Sequence, residues 1–369
     1  MRMENREYIC TKVLQTPAHI SSLAAGHASH LFAGSDDGTV RLYDLSTFKV
    51  LKAIRGLDAE VSSIACVKRP GVEMRDAWIA CGGNILSFQM DNPKMILNAE
   101  DVTSVIRVCQ NEDDILNEIS FDSSKRNLGF SADSGLVGVL DITTKQVVEM
   151  KTKHTSICAN VKFIPDRPRE IVSSGYDQAL FHFDSLQGSL LSQRKMSKYQ
   201  PLPLLYKLAS ADASIGGVST TPPFIMCTAI SPAGALAAGL ADGRLWLGFG
   251  GEKSASPNPS GKKRARKWNG LAEEGKVQEK VADGPVVAVA FIDADSLVIS
   301  TLLGTIKGFR IVRERDNKPP RIQEVWQKKC ENVEKVNALV AFGTRVVIGG
   351  FAKDGKGIVS IWDQQCNEH

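Results

Sequence analysis

His154, Ser173 and Asp177 are the residue types of an activated nucleophile. A carboxylate can orient an imidazole, and the imidazole can take a hydroxyl proton. His154 precedes an apolar alternating segment, Ser173 lies in the next such segment, and Asp177 sits in the turn after it. A hydrolase needs these three to meet in a cleft. Other chemistries find less in the chain. The Gly82-Gly83 and Gly349-Gly350 pairs open no Gly-x-x-x-x-Gly-Lys-Ser/Thr loop, so nucleotide hydrolysis has no motif. Glu112-Asp113-Asp114 lacks the Asp-x-Asp-x-Asp-Gly spacing of a calcium loop and reads as a solvated loop. The eight cysteines stand singly, with no Cys-x-x-Cys pair and no histidine at zinc spacing. No catalytic, cofactor-binding or metal-ligating set is expected, and the cysteines read as reduced thiols.

The second chemical signal is charge. Of 45 basic and 41 acidic residues, eight and four fall between Gly251 and Lys280, leaving 37 of each elsewhere. The body is neutral and the excess is local, which disfavours a globally basic nucleic-acid binder. Its centre is Lys262, Lys263, Arg264, Arg266 and Lys267, flanked by Pro257, Pro259 and Trp268. Three readings stay open: a nuclear-import peptide, a salt-sensitive contact with phosphate backbones, and a solvated disordered loop.

The elements that must position these residues repeat along the chain. Each unit has an alternating strand, a second strand ending in Ala, Gly or Ser, a tight turn, and a third alternating strand. The copies span Ile20 to Leu45, Val61 to Met90, Ile115 to Ile142, His154 to Leu186, Phe224 to Phe249, Val286 to Val312 and Val336 to Asp363. A fourth strand is expected at Phe48 to Ile54, Gln146 to Met150, Ser189 to Lys195, Val277 to Val281 and Ile322 to Gln327. The seventh copy has almost nothing after Trp362-Asp363, while Tyr8 to Leu14 is a strand with no neighbour in sequence.

Both ends are accounted for by a ring. The leading strand becomes the missing outer strand of the last sheet, and closure protects open edges. The reading is all-β: a seven-bladed β-propeller closed by its N-terminal strand, one domain over 1–369. Residues 197–223 read as a long connection between blades, and 250–275 as a disordered basic insertion. That insertion lies between strands three and four of blade five, a loop that opens on the narrower rim.

At 43% apolar and 23% charged residues the chain can bury a sizeable core. No apolar run approaches membrane-spanning length, and the start leads into no long apolar run. No membrane partner is expected, and the expected compartment is nucleus and/or cytoplasm.

The Asp-Gly turn followed by a strand ending in Tyr-Asp, Leu-Asp or Trp-Asp resembles the WD-repeat pattern. Over Glu118-Ile-Ser-Phe, Ser131-Ala-Asp-Ser-Gly-Leu-Val-Gly-Val-Leu-Asp and Lys153-His-Thr-Ser-Ile-Cys-Ala-Asn-Val-Lys-Phe-Ile-Pro-Asp-Arg-Pro, the chain is similar to the WD-repeat-containing protein 53 family. Pro222-Pro-Phe and Val333-Glu-Lys-Val-Asn-Ala-Leu add to the likeness. The resemblance implies a propeller scaffold and a candidate substrate receptor for a cullin-RING ligase adaptor. Receptors of that class often carry Trp-Asp-x-Arg. Here the positions read Tyr43-Asp-Leu-Ser46, Leu140-Asp-Ile-Thr143, Phe183-Asp-Ser-Leu186 and Trp362-Asp-Gln-Gln365, none with the Arg.

The resemblance also recasts the opening trio. It implies that His154, Ser173 and Asp177 form a structural hydrogen-bond network between strands. Phe183 stands at its end, where an indole would otherwise donate. Blade one keeps His19, Asp37 and Tyr43 but has Ala33 at the serine position.

The expected function is non-enzymatic. Proteins or peptides dock on the wide face, with Asp36, Ser156 and Tyr176 as candidate contacts. The alternative is a nuclear or nucleolar RNA-associated assembly factor that uses the basic tract. A propeller enzyme would line its channel with His, Asp or Glu. This chain has six histidines, four of them in turns or at an end.

Overall fold

Residues 7–27, 29–196, 221–250, 268–273, 276–313 and 320–365 are described by a computed structural model. The connection and the basic tract fall largely outside them. Of those stretches only 221–223, 250 and 268–273 are described.

The second strand of each repeat runs apolar or small without alternation, and it is buried on both faces. Asp76–Cys81 and Leu236–Leu240 are buried at every position. Such a strand must be covered on both sides, and a neighbouring sheet on each side covers it. Outer strands such as Ser189–Lys195 alternate between half-buried and exposed residues instead.

Seven sheets result, consecutive strands within each running antiparallel. Blade one is Ile20–Ala25, His30–Ser35, Val40–Asp44 and Lys49–Arg55. Blade two is Val61–Val67, Asp76–Cys81, Asn84–Phe88 and Ser104–Arg107. Blade three is Leu116–Phe121, Asn127–Ala132, Val137–Asp141 and Val147–Glu149. Blade four is Cys158–Ile164, Arg167–Gly175, Ala179–Asp184 and Ser189–Lys195. Blade five is Ile225–Ile230, Leu236–Leu240, Arg244–Gly248 and Lys276–Lys280. Blade six is Val286–Phe291, Ser296–Thr301, Thr305–Val312 and Arg321–Lys329.

Blade seven is Val333–Phe342, Arg345–Ala352, Gly357–Gln365 and the leading strand Glu7–Thr16. The closure has the expected register: Tyr8 faces Gln364, Leu14 faces Val359 and Thr16 faces Gly357. First strands of successive blades pack on each other, and Val333–Phe342 packs on Ile20–Ala25 to complete the ring.

Three features depart from the sequence reading. Blade two has a fourth strand, Ser104–Arg107, where none was assigned. Blade one has a fifth, Ile96–Asn98, drawn from the blade-two connection and paired in parallel with Lys49–Arg55. The Lys52 ammonium clamps that segment by donating to the Asn92 and Lys94 carbonyls. The expected outer strand of blade one also loses Phe48, whose φ of 57° takes it into the preceding turn.

Every first strand carries a β-bulge near its start, skipping Ser21, Ser62, Asn117, Ala159, Met226, Val287 and Asn337 in turn. These residues ring a central cavity of about 450 Å³. The bulges also free side chains to stitch blades together. Asn337 Nδ2 donates to the Ile20 carbonyl at 2.9 Å, and Ser22 Oγ to the Val61 carbonyl at 2.7 Å. The Ile119 amide donates to Ser63 Oγ at 3.1 Å, and the Val161 amide to Glu118 Oε2 at 2.9 Å.

Candidate functional site

Strand two of blade four brings Ser173 up beside the turn that holds Asp177, and the chain returning from blade three drops His154 between them. His154 Nδ1 lies 2.9 and 3.0 Å from the two Asp177 oxygens, and Nε2 lies 2.8 Å from Ser173 Oγ. A carboxylate only accepts, so Nδ1 carries the proton and the serine hydroxyl completes the ring at Nε2. Asp177 also accepts the Thr155 and Ala179 amides, both at 3.1 Å. Burial opposes its ionisation. The His154 hydrogen bond and charge, with the two amides, outweigh burial and hold the carboxyl below its ordinary value.

Glycines make the space. A Cβ on Gly175 would lie 2.7 Å from the Ile157 carbonyl and 2.9 Å from His154 Nδ1. Gly135, at φ +80°, lets the blade-three turn approach the His154 backbone, whose amide donates to the Gly135 carbonyl at 3.0 Å.

The three residues meet, but no cleft reaches them. Ser173 is 1% exposed and His154 is equally enclosed. A hydroxyl spent on an imidazole between two strands has no route to a substrate carbonyl. The arrangement fastens the turn to the strand.

The aromatic partner is not Phe183. Phe181 stacks on His154 at 4.3 Å, and Phe183 stands edge-on to Phe181 at 5.9 Å. The ladder gives the reason: Phe181 lies directly across from Ser173, whereas Phe183 faces Ile171.

Blade one also corrects the expectation. His19 Nδ1 pairs with Asp36 at 3.0 Å, not with Asp37, and Nε2 lies 3.0 Å from the Gly355 carbonyl of blade seven. The ring stacks on Phe351 at 4.4 Å. Asp37 is taken by its own turn, accepting the Thr39 amide at 3.0 Å. Tyr43 packs into the core shared by blades one and seven, away from His19. His19 directly precedes its strand, at the place Ile157 holds in blade four, so its ring lies on the rim and not between strand and turn.

Two turn anchors escaped the sequence reading. Asp114, read as part of a solvated loop, is buried and accepts the Ser134 amide at 2.9 Å and its hydroxyl at 2.6 Å. Its neighbours Glu112 and Asp113 are exposed. In blade five the buried Arg244 Nε donates to Asp242 Oδ2 at 2.7 Å across the equivalent turn. The available signal was position: Asp114 lies just before the first strand of blade three, and Asp242 in the second-to-third-strand turn of blade five.

On the face of the second-to-third-strand turns Asp36 and Ser156 are exposed and Tyr176 is half-buried. Tyr176 stacks on Phe224 at 5.7 Å, and burial, then the Asp133 charge, raises its phenol above the ordinary value. Ser156 and Tyr176 share the rim of blade four, while Asp36 belongs to blade one. The three therefore mark a surface and not one pocket.

Lys262, Lys263, Arg264, Arg266 and Lys267 lie outside the described residues. The points where their loop leaves and rejoins the propeller are described. The Asn269 amide donates to the Gly250 carbonyl at 3.1 Å, and buried Trp268 donates from Nε1 to the Gly234 carbonyl at 3.0 Å. Arg194 donates to the Leu271 and Ala272 carbonyls, both at 3.2 Å. Trp268, read only as a flank, is the anchor.

Among the described residues no group of three or more His, Cys, Asp or Glu could hold a metal ion, and no helix is long and apolar enough to cross a membrane.

Comparison with known proteins agrees with this architecture. The WD domain, G-beta repeat family matches residues 9–44, the closing strand and the first three strands of blade one. The WD repeat-containing protein 53 homolog of Dictyostelium discoideum is 30% identical over 163 residues, 43% of this chain. The matched stretch is 41% of that relative's own length. Among solved structures, the β-propeller domain of Cps50 (Swd1) from Myceliophteria thermophila covers 97% of this chain and 99% of its own. It does so with a TM-score of 0.64 at 15% identity, a likeness of fold. The chain is a seven-bladed β-propeller similar to WD-repeat proteins, the WD repeat-containing protein 53 homolog among them.

Proposed function

We propose that this protein is a non-catalytic scaffold that docks other proteins or peptides on its wide face. One observation carries the reading: the trio best suited to nucleophilic chemistry is enclosed and consumed in fastening a turn. What the wide face offers to solvent is a rim of polar and aromatic turn residues around a channel mouth. Full-length protein and an Asp36→Lys, Ser156→Arg, Tyr176→Ala variant would be used as baits for affinity capture. Partners that bind the parent and are lost from the variant support the reading. A partner set unchanged by the variant overturns it.

The family likeness adds a finer reading, that of a substrate receptor for a cullin-RING ligase adaptor. Co-purification of that adaptor with the full chain tests it, and its absence from the purified complex removes it.

A second reading rests on the basic tract, whose loop is anchored at both ends by Trp268 and the Gly250–Asn269 hydrogen bond. Such a loop presents cations to a phosphate backbone or to an import receptor in the nucleus and/or cytoplasm. Replacing Lys262, Lys263, Arg264, Arg266 and Lys267 by Ser separates the two. Loss of a salt-sensitive RNA gel shift supports the first, and loss of nuclear accumulation supports the second.

A further inference from the structure

The seam between blades two and three holds a cleft of about 360 Å³ on the side of the first-to-second and third-to-fourth strand turns, distinct from the central channel. That volume is within the range of sites that take a side chain or small ligand. Its apolar floor includes Trp78, Phe88 and Ile142, its walls include Gln89 and Ser104, and Lys145 stands at its edge.

Cations and rings alternate beside it. Lys145 Nζ sits 5.2 Å from the Trp78 ring centroid. Trp78 meets Phe121 edge-on at 5.9 Å, and Lys125 Nζ sits 5.8 Å from the Phe121 centroid. Arg75 is near enough to Lys125 that, after burial, its charge is the next cause pushing the Lys125 ammonium down. The Arg75 Nε is buried without a hydrogen-bond partner.

The carboxylates nearby are already committed: Asp122, whose charge acts on Lys125, and Asp76, which lines the cleft with Arg69. Asp122 accepts the Arg126 and Asn127 amides and the Ser124 hydroxyl. Asp141 is tied to Arg126 and to its own turn. Asp76 and Asp91 are held by Arg69. Among the described residues no ion pair reaches Lys125, Lys145 or Arg75. Lys125 and Arg75 lie together, and Lys145 stands on the far side of the Trp78–Phe121 pair at the edge of the cleft, none of the three in an ion pair, whereas bases such as Arg169, Arg313 and Arg345 are paired.

We propose that this seam is a docking cleft for an acidic peptide segment. Its anionic side chains sit among Lys145, Lys125 and Arg75, and a neighbouring apolar side chain enters the cleft that Phe88, Ile142 and Trp78 line. Charge complementarity selects the anion, and the cleft selects a peptide over a nucleic acid. A base needs an open ring face to stack on. Here Trp78 is 8% exposed, with Lys145 over it and Phe121 against it. The proposal adds a second surface to the scaffold reading and is tested apart from the wide face.

The test uses the full chain and fluorescence anisotropy. The probe is a labelled nonapeptide, Gly-Ser-Glu-Glu-Leu-Glu-Glu-Ser-Gly, with analogues carrying Gln for Glu or Ser for Leu. Saturable binding is expected, weakened about tenfold or more in the Lys125→Glu, Lys145→Glu variant and in the Gln analogue, and less by loss of the Leu. Both lysines are exposed, so the fold should survive, and an unchanged thermal transition verifies that. A nonapeptide with Lys for Glu should bind the variant and not the parent. No saturable binding to the parent, or equal binding to parent and variant, overturns the proposal. So does a 20-nucleotide single-stranded RNA that binds tighter than the peptide and is lost in the same variant. None of these results bears on the wide face, which the Asp36, Ser156 and Tyr176 substitutions test separately.

Discussion

Blades one and four carry the same kind of turn and the same imidazole–carboxylate pair, yet they use them oppositely. In blade four His154 is enclosed between Asp177 and Ser173 and stacks on Phe181. In blade one His19 is 38% exposed, pairs with the solvated Asp36 and reaches across to the blade-seven backbone. The two histidines hold different places along the chain. His19 directly precedes its first strand, as Ile157 does in blade four, and its carbonyl takes the Asp36 amide as that of Ile157 takes the Tyr176 amide. His154 lies three residues earlier, where blade one has Thr16, and from there it drops between strand and turn, where Ser173 meets Nε2 and Gly175 leaves the space that Ser35 fills in blade one. Position along the chain therefore separates the histidine that locks its own blade from the one that fastens the blade next door.

The largest effect is expected from breaking the enclosed pair. His154→Ala should cost about 3 kcal/mol, because it leaves the Asp177 carboxylate with its two backbone amides alone and strips the buried Ser173 hydroxyl of its partner. A markedly lower urea midpoint would be the readout, and a loss under 1 kcal/mol would contradict the enclosed geometry.

Acid should show the same contrast. The Asp177 carboxyl is held below its ordinary value in the folded state. Its contribution is therefore complete above the unfolded carboxylate value of about 4 and fades as pH falls through the lower native value. The stability gap between the parent and Asp177→Asn should be widest near neutrality and narrow below about pH 4. A gap that widens in acid would reverse the sign and break the assignment.

Next in size is Ser173→Ala, which gives blade four the serine position of blade one. Removing the hydroxyl strands a buried ring nitrogen and should cost about 1–2 kcal/mol. Hydrogen exchange at the Thr155 and Ala179 amides should quicken if the turn has loosened. The smallest effect belongs to His19→Ala, under about 1 kcal/mol, because the pair it removes is solvated. A loss as large as that of His154→Ala would erase the comparison.

The ring was legible because its causes are local. Alternation in first strands, unbroken apolar or small runs in second strands, and Asp/Gly turns recur through the chain, and Tyr8 to Leu14 had no neighbour except the gap left by blade seven. The departures arose where a side chain's partner is distant in sequence. Asp114 looks like its exposed neighbours Glu112 and Asp113 until the blade-three turn brings Ser134 over it. Phe181 and Phe183 are two residues apart and share a face, so only the ladder register places Phe181 across from Ser173. Ile96–Asn98 has no strand signature of its own; it is a strand because blade one offers an open edge and Lys52 clamps the approach. At the blade two–three seam, Lys125 and Lys145 come from separate turns, and Arg75 from another blade. Their convergence has no expression in local sequence.

By itself, the sequence determined the number of sheets, their strand order and the strand that seals the ring, because hydrophobic period and turn chemistry act over a few residues. Tertiary structure alone decided which histidine is enclosed, which carboxylate anchors a turn and where unpaired cations gather. Those outcomes depend on which groups satisfy each other across blades, a choice made only when distant segments compete for the same hydrogen bonds and the same dry space.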